Sequence, residues 1–261
     1  MKPSEADRYK LAAVIIGTFG IVAILGAPLL YWFYMSHGGG ISKDANDWST
    51  FGIYFSGVAG TIIALGTLVA VAVTFHLQAK ELAESQALLA RQAFESNFYQ
   101  LLRRFSEHVA SLRYGGNVRG REAIETFDAN IRSWYDRLAS FGGDRTRAAY
   151  DNFYKQQEGQ VGVYFRTLYH VFKLIDDSQL TPQQQRRYAT IARAQLSAHE
   201  LCLMFYNGMA GEGTRGFKPL MEKFRLLKHL NKDLLVDPER ADDPALYARS
   251  AFGEVTTVGK K

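Results

Sequence analysis

Two stretches of unbroken apolar character stand at the front of the chain, and an amphipathic pattern of helical period fills most of the remaining sequence. Residues 11–35 are 25 positions without a charge, and residues 51–75 are another 25. Each is long enough to cross a bilayer core of roughly 30 Å as a helix. The first ends in Tyr31-Trp32-Phe33-Tyr34, an aromatic cluster suited to the headgroup zone. It is too long for the core of a signal peptide, so it reads as a retained transmembrane helix. Between the spans, residues 36–50 are rich in Gly, Asp and Asn and read as a turn-rich linker. The second span runs without a break into a polar sequence, and no Gly or Pro occurs between Gly66 and Gly115. The pattern predicts one long helix from about Phe51 to Tyr114, leaving the membrane near His76.

Beyond a polar stalk at 77–93, the apolar positions return at helical spacing. Phe94, Phe98, Leu101, Phe105, Val109 and Leu112 share one face. Gly115, Gly116 and Gly120 break that helix. A second amphipathic helix is predicted from Arg121 to Phe141, with Ile124, Phe127, Ile131, Trp134 and Leu138 inward. A third runs from Arg145 to Asp177, burying Val161, Phe165, Leu168, Phe172 and Ile175. Thr181-Pro182-Gln183-Gln184 has the chemistry of a helix start: a capping hydroxyl, proline at the first helical position, and a glutamine to close a capping box. That helix is predicted to reach Asn207 and stop at Gly208. Another covers about Phe217 to Leu230, and a short one starts near Pro244. With no strand pattern, the fold class is all-α. Its organisation is a membrane anchor over 1–76, a stalk over 77–93, a helical domain over 94–235 and a polar tail over 236–261.

Charge sets the orientation. The net charge is +5. Lys2, Arg8 and Lys10 precede the first span, the linker has only Lys43, and Lys80, Arg91, Arg103 and Arg104 come after the second. The excess of basic flanks places both termini in the cytoplasm of a bacterial inner membrane and the linker outside. The anchor's charges cancel, so the basic excess belongs to the helical domain, where it suits anionic lipid headgroups. No dense basic run or aromatic-basic repeat points to nucleic acid. The single cysteine, Cys202, excludes an intrachain disulfide and a cysteine-based metal site. Ser56, Gly60, Gly66 and Ala70 allow close packing in lipid, between the two spans or between copies in a homo-oligomer, which as an alternative function disrupts the membrane.

Catalytic signatures are few: no phosphate-binding loop, no dinucleotide fingerprint, no HExxH and no nucleophile elbow. No cofactor or metal is implied. Two segments instead put ionisable residues inside dense apolar helices. One holds Arg166 and Tyr169. The other holds Arg193, Gln195, Ser197, His199 and Glu200, with Tyr206 and Asn207 beyond them. A buried arginine needs a partner. On one continuous helix Arg193 and Glu200 share a face, and Arg166 can reach Glu200 from a neighbouring helix. The cluster is either a polar lock on helix register or a functional site. The Arg193-to-His199 spacing also fits the loose arginine–histidine pattern of HEPN ribonucleases, with His199 as general acid/base and Arg193 on phosphate.

The motifs YFRTLY, RAQLSAHE and LMFYNG, with FESNFYQLL at 94–102, resemble the phage abortive infection (AbiC-type) proteins. The resemblance runs over about 45–231. It implies two transmembrane spans, a helical cytoplasmic domain, and a role in which infection triggers arrest or death of the host cell, as sensor or effector rather than as a defined enzyme. It implies the bilayer as one partner, and a phage component or second defence protein as another. It marks Glu95, Phe98, Arg166, Tyr169, Arg193, Gln195, Ser197, Glu200, Tyr206 and Asn207 as recurring positions.

Overall fold

The structure, a computed structural model, describes residues 42–253 and isolated positions between 17 and 33. Most of the expected first transmembrane helix at 11–35 therefore lies outside the described residues. The chain divides into two compact units, Met1–Leu89 and Ala90–Lys261. The described residues are predominantly helical.

In the first unit the described chain is dominated by α1, a helix of 67 residues from Ala45 to Ser111 whose last turns belong to the second unit. It starts inside the stretch read as a linker. Asp44 Oδ1 accepts from the Asn46 amide at 2.9 Å and so caps the first turn, while Asp47 adds negative charge beside the helix N-terminus. The apolar run 51–75 lies on this helix, which is long and apolar enough to cross a membrane. Its Ile53, Leu65, Leu68 and Phe75 are exposed. Thr61, Thr67 and Thr74 return their hydroxyls to carbonyls one turn back, so these groups are satisfied inside the helix.

In the second unit the end of α1 delivers Phe98, Phe105 and Val109 to the core, Leu112 joins them just past the helix's last residue, and Phe94 and Leu101 pack at the edge. Tyr188 donates its hydroxyl to Glu95 at 2.6 Å, and its ring meets Phe94 and Phe98 edge-on. The helix stops before the expected Tyr114. Arg113–Tyr114 (β1) and Val118–Arg119 (β2) form a two-stranded antiparallel hairpin that the helical reading missed. Gly115 and Gly116 take φ of 58° and 91°, a reversal that disfavours any side chain.

Two helices bury predicted core positions, with Trp134 and Leu138 only partly buried, and a third starts at its predicted cap. Helix α2, Arg121–Arg137, buries Ile124, Phe127 and Ile131. Helix α3, Arg145–Asp176, buries Val161, Phe165, Leu168, Phe172 and Ile175. Helix α4, Pro182–Arg193, starts with the Thr181–Gln184 capping box. It ends well before the expected Asn207, however, and α5 runs separately from Ala198 to Met209. Helix α5 is the centre of the unit, with every residue from Glu200 to Met209 buried. Two short helices come next, α6 at Gly211–Gly216 and α7 at Lys218–Phe224. The helix expected to reach Leu230 ends at Arg225, which takes a left-handed conformation and lets the Leu226 amide close on the Met221 carbonyl. The stretch from 236, read as a polar tail, carries 3₁₀ turns at Pro238–Asp242 and Arg249–Phe252 in place of a helix at Pro244. It buries Ala241, Tyr247 and Ala251 against the rest of the unit.

Candidate functional site

The segment Arg193 to Glu200 breaks because Ser197-Ala198-His199-Glu200 is a capping box, an interaction that starts a helix. Ser197 Oγ accepts from the Glu200 amide at 3.2 Å, and Glu200 Oε2 accepts from the Ser197 amide at 2.7 Å. Glu200 is fully buried, and its Oε1 accepts from the Tyr164 hydroxyl at 3.2 Å. Burial first, and the neighbouring Glu200 second, hold the Tyr164 hydroxyl well above its ordinary pKa. The cation beside Glu200 is Arg121, with Nε 3.7 Å from Oε2. Arg121 also donates to the Gln195 carbonyl at 2.7 Å.

The pairing expected for Glu200 is thereby corrected. Arg193 closes α4, and its Nη1 donates to the Arg225 carbonyl at 2.9 Å, bracing the left-handed turn. Arg166 is exposed and faces elsewhere on α3. His199 lies on α5, and its Nδ1 is 3.0 Å from Asp128 Oδ2 on α2. Asp128 is almost fully buried, and its other oxygen, Oδ1, has no hydrogen-bond partner. Burial raises the Asp128 pKa, while His199 and Arg132 pull against that shift. Cys202, one turn from His199, is buried, which pushes its thiol up to about 12. Arg193 and His199 thus sit on different helices and are held by different partners.

At the far end of α5, Tyr206 accepts the Val236 amide on its hydroxyl at 2.9 Å. Asn207 Nδ2 donates to the Tyr150 hydroxyl at 3.0 Å. Tyr247 donates to the Phe205 carbonyl at 2.6 Å, and a Cβ on Gly208 would fall 2.1 Å from that hydroxyl oxygen. Only glycine fits there. Beside this end opens a cavity of about 810 Å³. Its long wall is one face of α3, and Asn207, Gly213 and Phe217 close the other side. Arg166, Tyr169 and Asn207 meet on this cavity.

The ten marked positions therefore divide. Ser197, Glu200 and the Gln195 carbonyl form a buried polar joint with Tyr164 and Arg121. Arg166, Tyr169 and Asn207 line the cavity. Tyr206 and Arg193 are struts, and Glu95 and Phe98 pin α1 to α4. Sequence reasoning missed Arg121, whose contact with Gln195 spans 74 positions, and Asp128, which no local pattern distinguishes. The Ser-x-x-Glu spacing could have found the joint. Among the described residues no group of three or more His, Cys, Asp or Glu is placed to hold a metal ion.

The family described as "Putative phage abortive infection protein" has a model that matches residues 156–234. The matched segment begins within α3 and ends with a 3₁₀ turn at Lys232–Leu234, taking in both Glu200 and the Arg166 side of the cavity. It supports the resemblance read from RAQLSAHE, YFRTLY and LMFYNG, whereas FESNFYQLL lies outside it. No curated protein and no solved structure matches the chain.

Proposed function

We propose that the chain is a membrane-anchored phage-defence protein that acts by abortive infection, with the helical unit 90–253 carrying the sensing or effector role. The match over 156–234 carries this reading, because that segment supplies α5, the centre of the unit, together with one wall of the cavity. The bilayer is the first partner. The exposed apolar length of α1 supports insertion, and the basic flanks support an inner-membrane protein with both termini in the cytoplasm. The polar joint at Glu200 belongs to the architecture in this reading: each of its buried groups has a partner, which suits a register lock better than a reaction centre.

The test is a phage challenge with membrane potential and total RNA monitored in one culture. Loss of potential before lysis, with RNA intact, is the result expected of a membrane effector. Early RNA cleavage with potential maintained would instead demand a nuclease. A reporter fused after Lys261 checks orientation and should be active only as a cytoplasmic reporter; activity as a periplasmic reporter would reverse the topology.

A further inference from the structure

Helix α1 carries two lines of side chains at seven-residue intervals, on nearly opposite sides. Ala59, Gly66 and Val73 form one line, and they are buried or half-buried within the chain. Leu68, Phe75, Leu82 and Leu89 form the other, offset by two residues and so about 200° round a helix of 3.6 residues per turn. Each of these four is at least 60% exposed. Leu65, Ala72, Ala79 and Gln86 alternate with them, each three residues ahead, and all are exposed too. Four successive pairs at this spacing make the a/d pattern of a coiled coil, broken only by the polar Gln86.

Inside a bilayer an exposed leucine meets lipid and needs no partner. Leu82 and Leu89 lie beyond His76, in the polar stalk, and are still open. The stalk's charges keep clear of them. Over 77–89 the charged residues are Lys80, Glu81 and Glu84, all at outer b, c and f positions, while Gln78, Ala83 and Ser85 flank the line without charge. The other long apolar stretch, 11–35, is about as long as the membrane is thick and leaves nothing to cover Leu82 or Leu89. The ten residues before it hold five charged side chains, which do not suit an uncharged apolar face.

We infer that the stalk pairs with the stalk of a second copy of this chain, parallel and in register, along Leu82, Gln86 and Leu89. The inference rests on the reading of α1 as a membrane anchor, which sets both copies in one direction with the same residues at the same height. A two-fold axis along the membrane normal then brings each residue of the line to its own counterpart. Gln86 fits that arrangement and fixes its register, because an amide both donates and accepts and is therefore complementary to itself. The small Ala79 and Ala83 let the two backbones come close, and leucine is the residue that parallel pairs favour at the Leu82 and Leu89 positions.

The test is site-directed crosslinking of the full chain in native membranes, under mild oxidation with copper phenanthroline. Leu82→Cys and Leu89→Cys should each give a disulfide-linked dimer at least ten times as abundant as Glu84→Cys gives. Wild type, whose Cys202 is buried, should give none. After extraction the linked Leu89→Cys protein should have the mass of two chains. Adding Gln86→Glu, which sets two carboxylates face to face, should cut the Leu89→Cys crosslink at least threefold. Adding Leu88→Glu, at a site about as exposed but on the outer face, should leave it within twofold. The pairing is overturned if neither leucine site crosslinks, if Glu84→Cys crosslinks equally, if the mass exceeds two chains, or if the Gln86 and Leu88 variants behave alike. Fractionation reads the anchor separately: protein in the soluble fraction sinks the membrane reading, while the crosslinking pattern, taken in whichever fraction holds the chain, decides the pairing.

Discussion

Replacing Glu200 by alanine removes three interactions at once, and each has a size. The capping-box bond to the Ser197 amide is lost, at about 1 kcal/mol. The Tyr164 hydroxyl is left buried without an acceptor, at about 1–3 kcal/mol. Arg121 is 59% exposed, so water replaces its ion pair and that loss is small. The total is about 3 kcal/mol, which corresponds to about a hundredfold faster opening of α5. Hydrogen exchange of the Leu201–Met209 amides in the full chain reads this locally. Two companions sharpen the test. Glu200→Gln keeps an acceptor for the Ser197 amide and a partner for Tyr164, and should cost only about 1 kcal/mol. Adding Tyr164→Phe to Glu200→Ala should return part of the loss, because no hydroxyl is then stranded. Exchange in α5 within threefold of wild type for Glu200→Ala would refute the view of Glu200 as a buried joint.

The same packing sets three further outcomes. His199→Ala strips Asp128 of its hydrogen-bonded partner and should destabilise the unit by about 1–3 kcal/mol in urea unfolding; unchanged stability with defence abolished would bring the ribonuclease chemistry of His199 forward. Asp128 has a raised pKa in the fold, so its contribution is most favourable below the unfolded carboxylate value and is lost as pH rises through the folded one. Asp128→Asn should therefore flatten the decline of stability with rising pH above about pH 4, and an unchanged pH profile would contradict the assignment. Cys202, buried with its thiol pushed up to about 12, should react with maleimide at about pH 8 only on unfolding; rapid labelling of the native protein would contradict its place in the core.

Helical periodicity carried the reading where one face alone decides burial. Val161, Phe165, Leu168, Phe172 and Ile175 on α3 are an example, since every one of these positions points inward and repeats at helical spacing. It failed where local chemistry overrode an apolar run. Ser197-x-x-Glu200 lies inside a continuous helical pattern, yet its mutual side-chain and backbone bonds begin a new helix. The hairpin at Arg113–Arg119 is too short to show alternation, and only the paired glycines announced it. Arg225 stands left-handed without glycine's freedom, held from outside by Arg193, so nothing local marks the stop of α7. The candidate site was legible as a set of residue types and illegible as a grouping. Arg166 and Glu200 both looked like buried charges, but their separation depends on which side of α3 meets α5. That is settled by contacts between distant segments such as Tyr164 with Glu200, 36 positions apart.

The central claim, a membrane protein that cuts phage production by abortive infection, is tested most directly by one infection experiment. Cells expressing the full chain, with the protein verified in the membrane fraction, are infected at high multiplicity with a panel of phages, and surviving cells and released phage are counted. The account predicts that, for at least one phage, the yield per infected cell falls by orders of magnitude while the infected cells themselves fail to recover. Phage yields equal to those of the empty-vector control across the panel, with the protein folded and in the membrane, would contradict it.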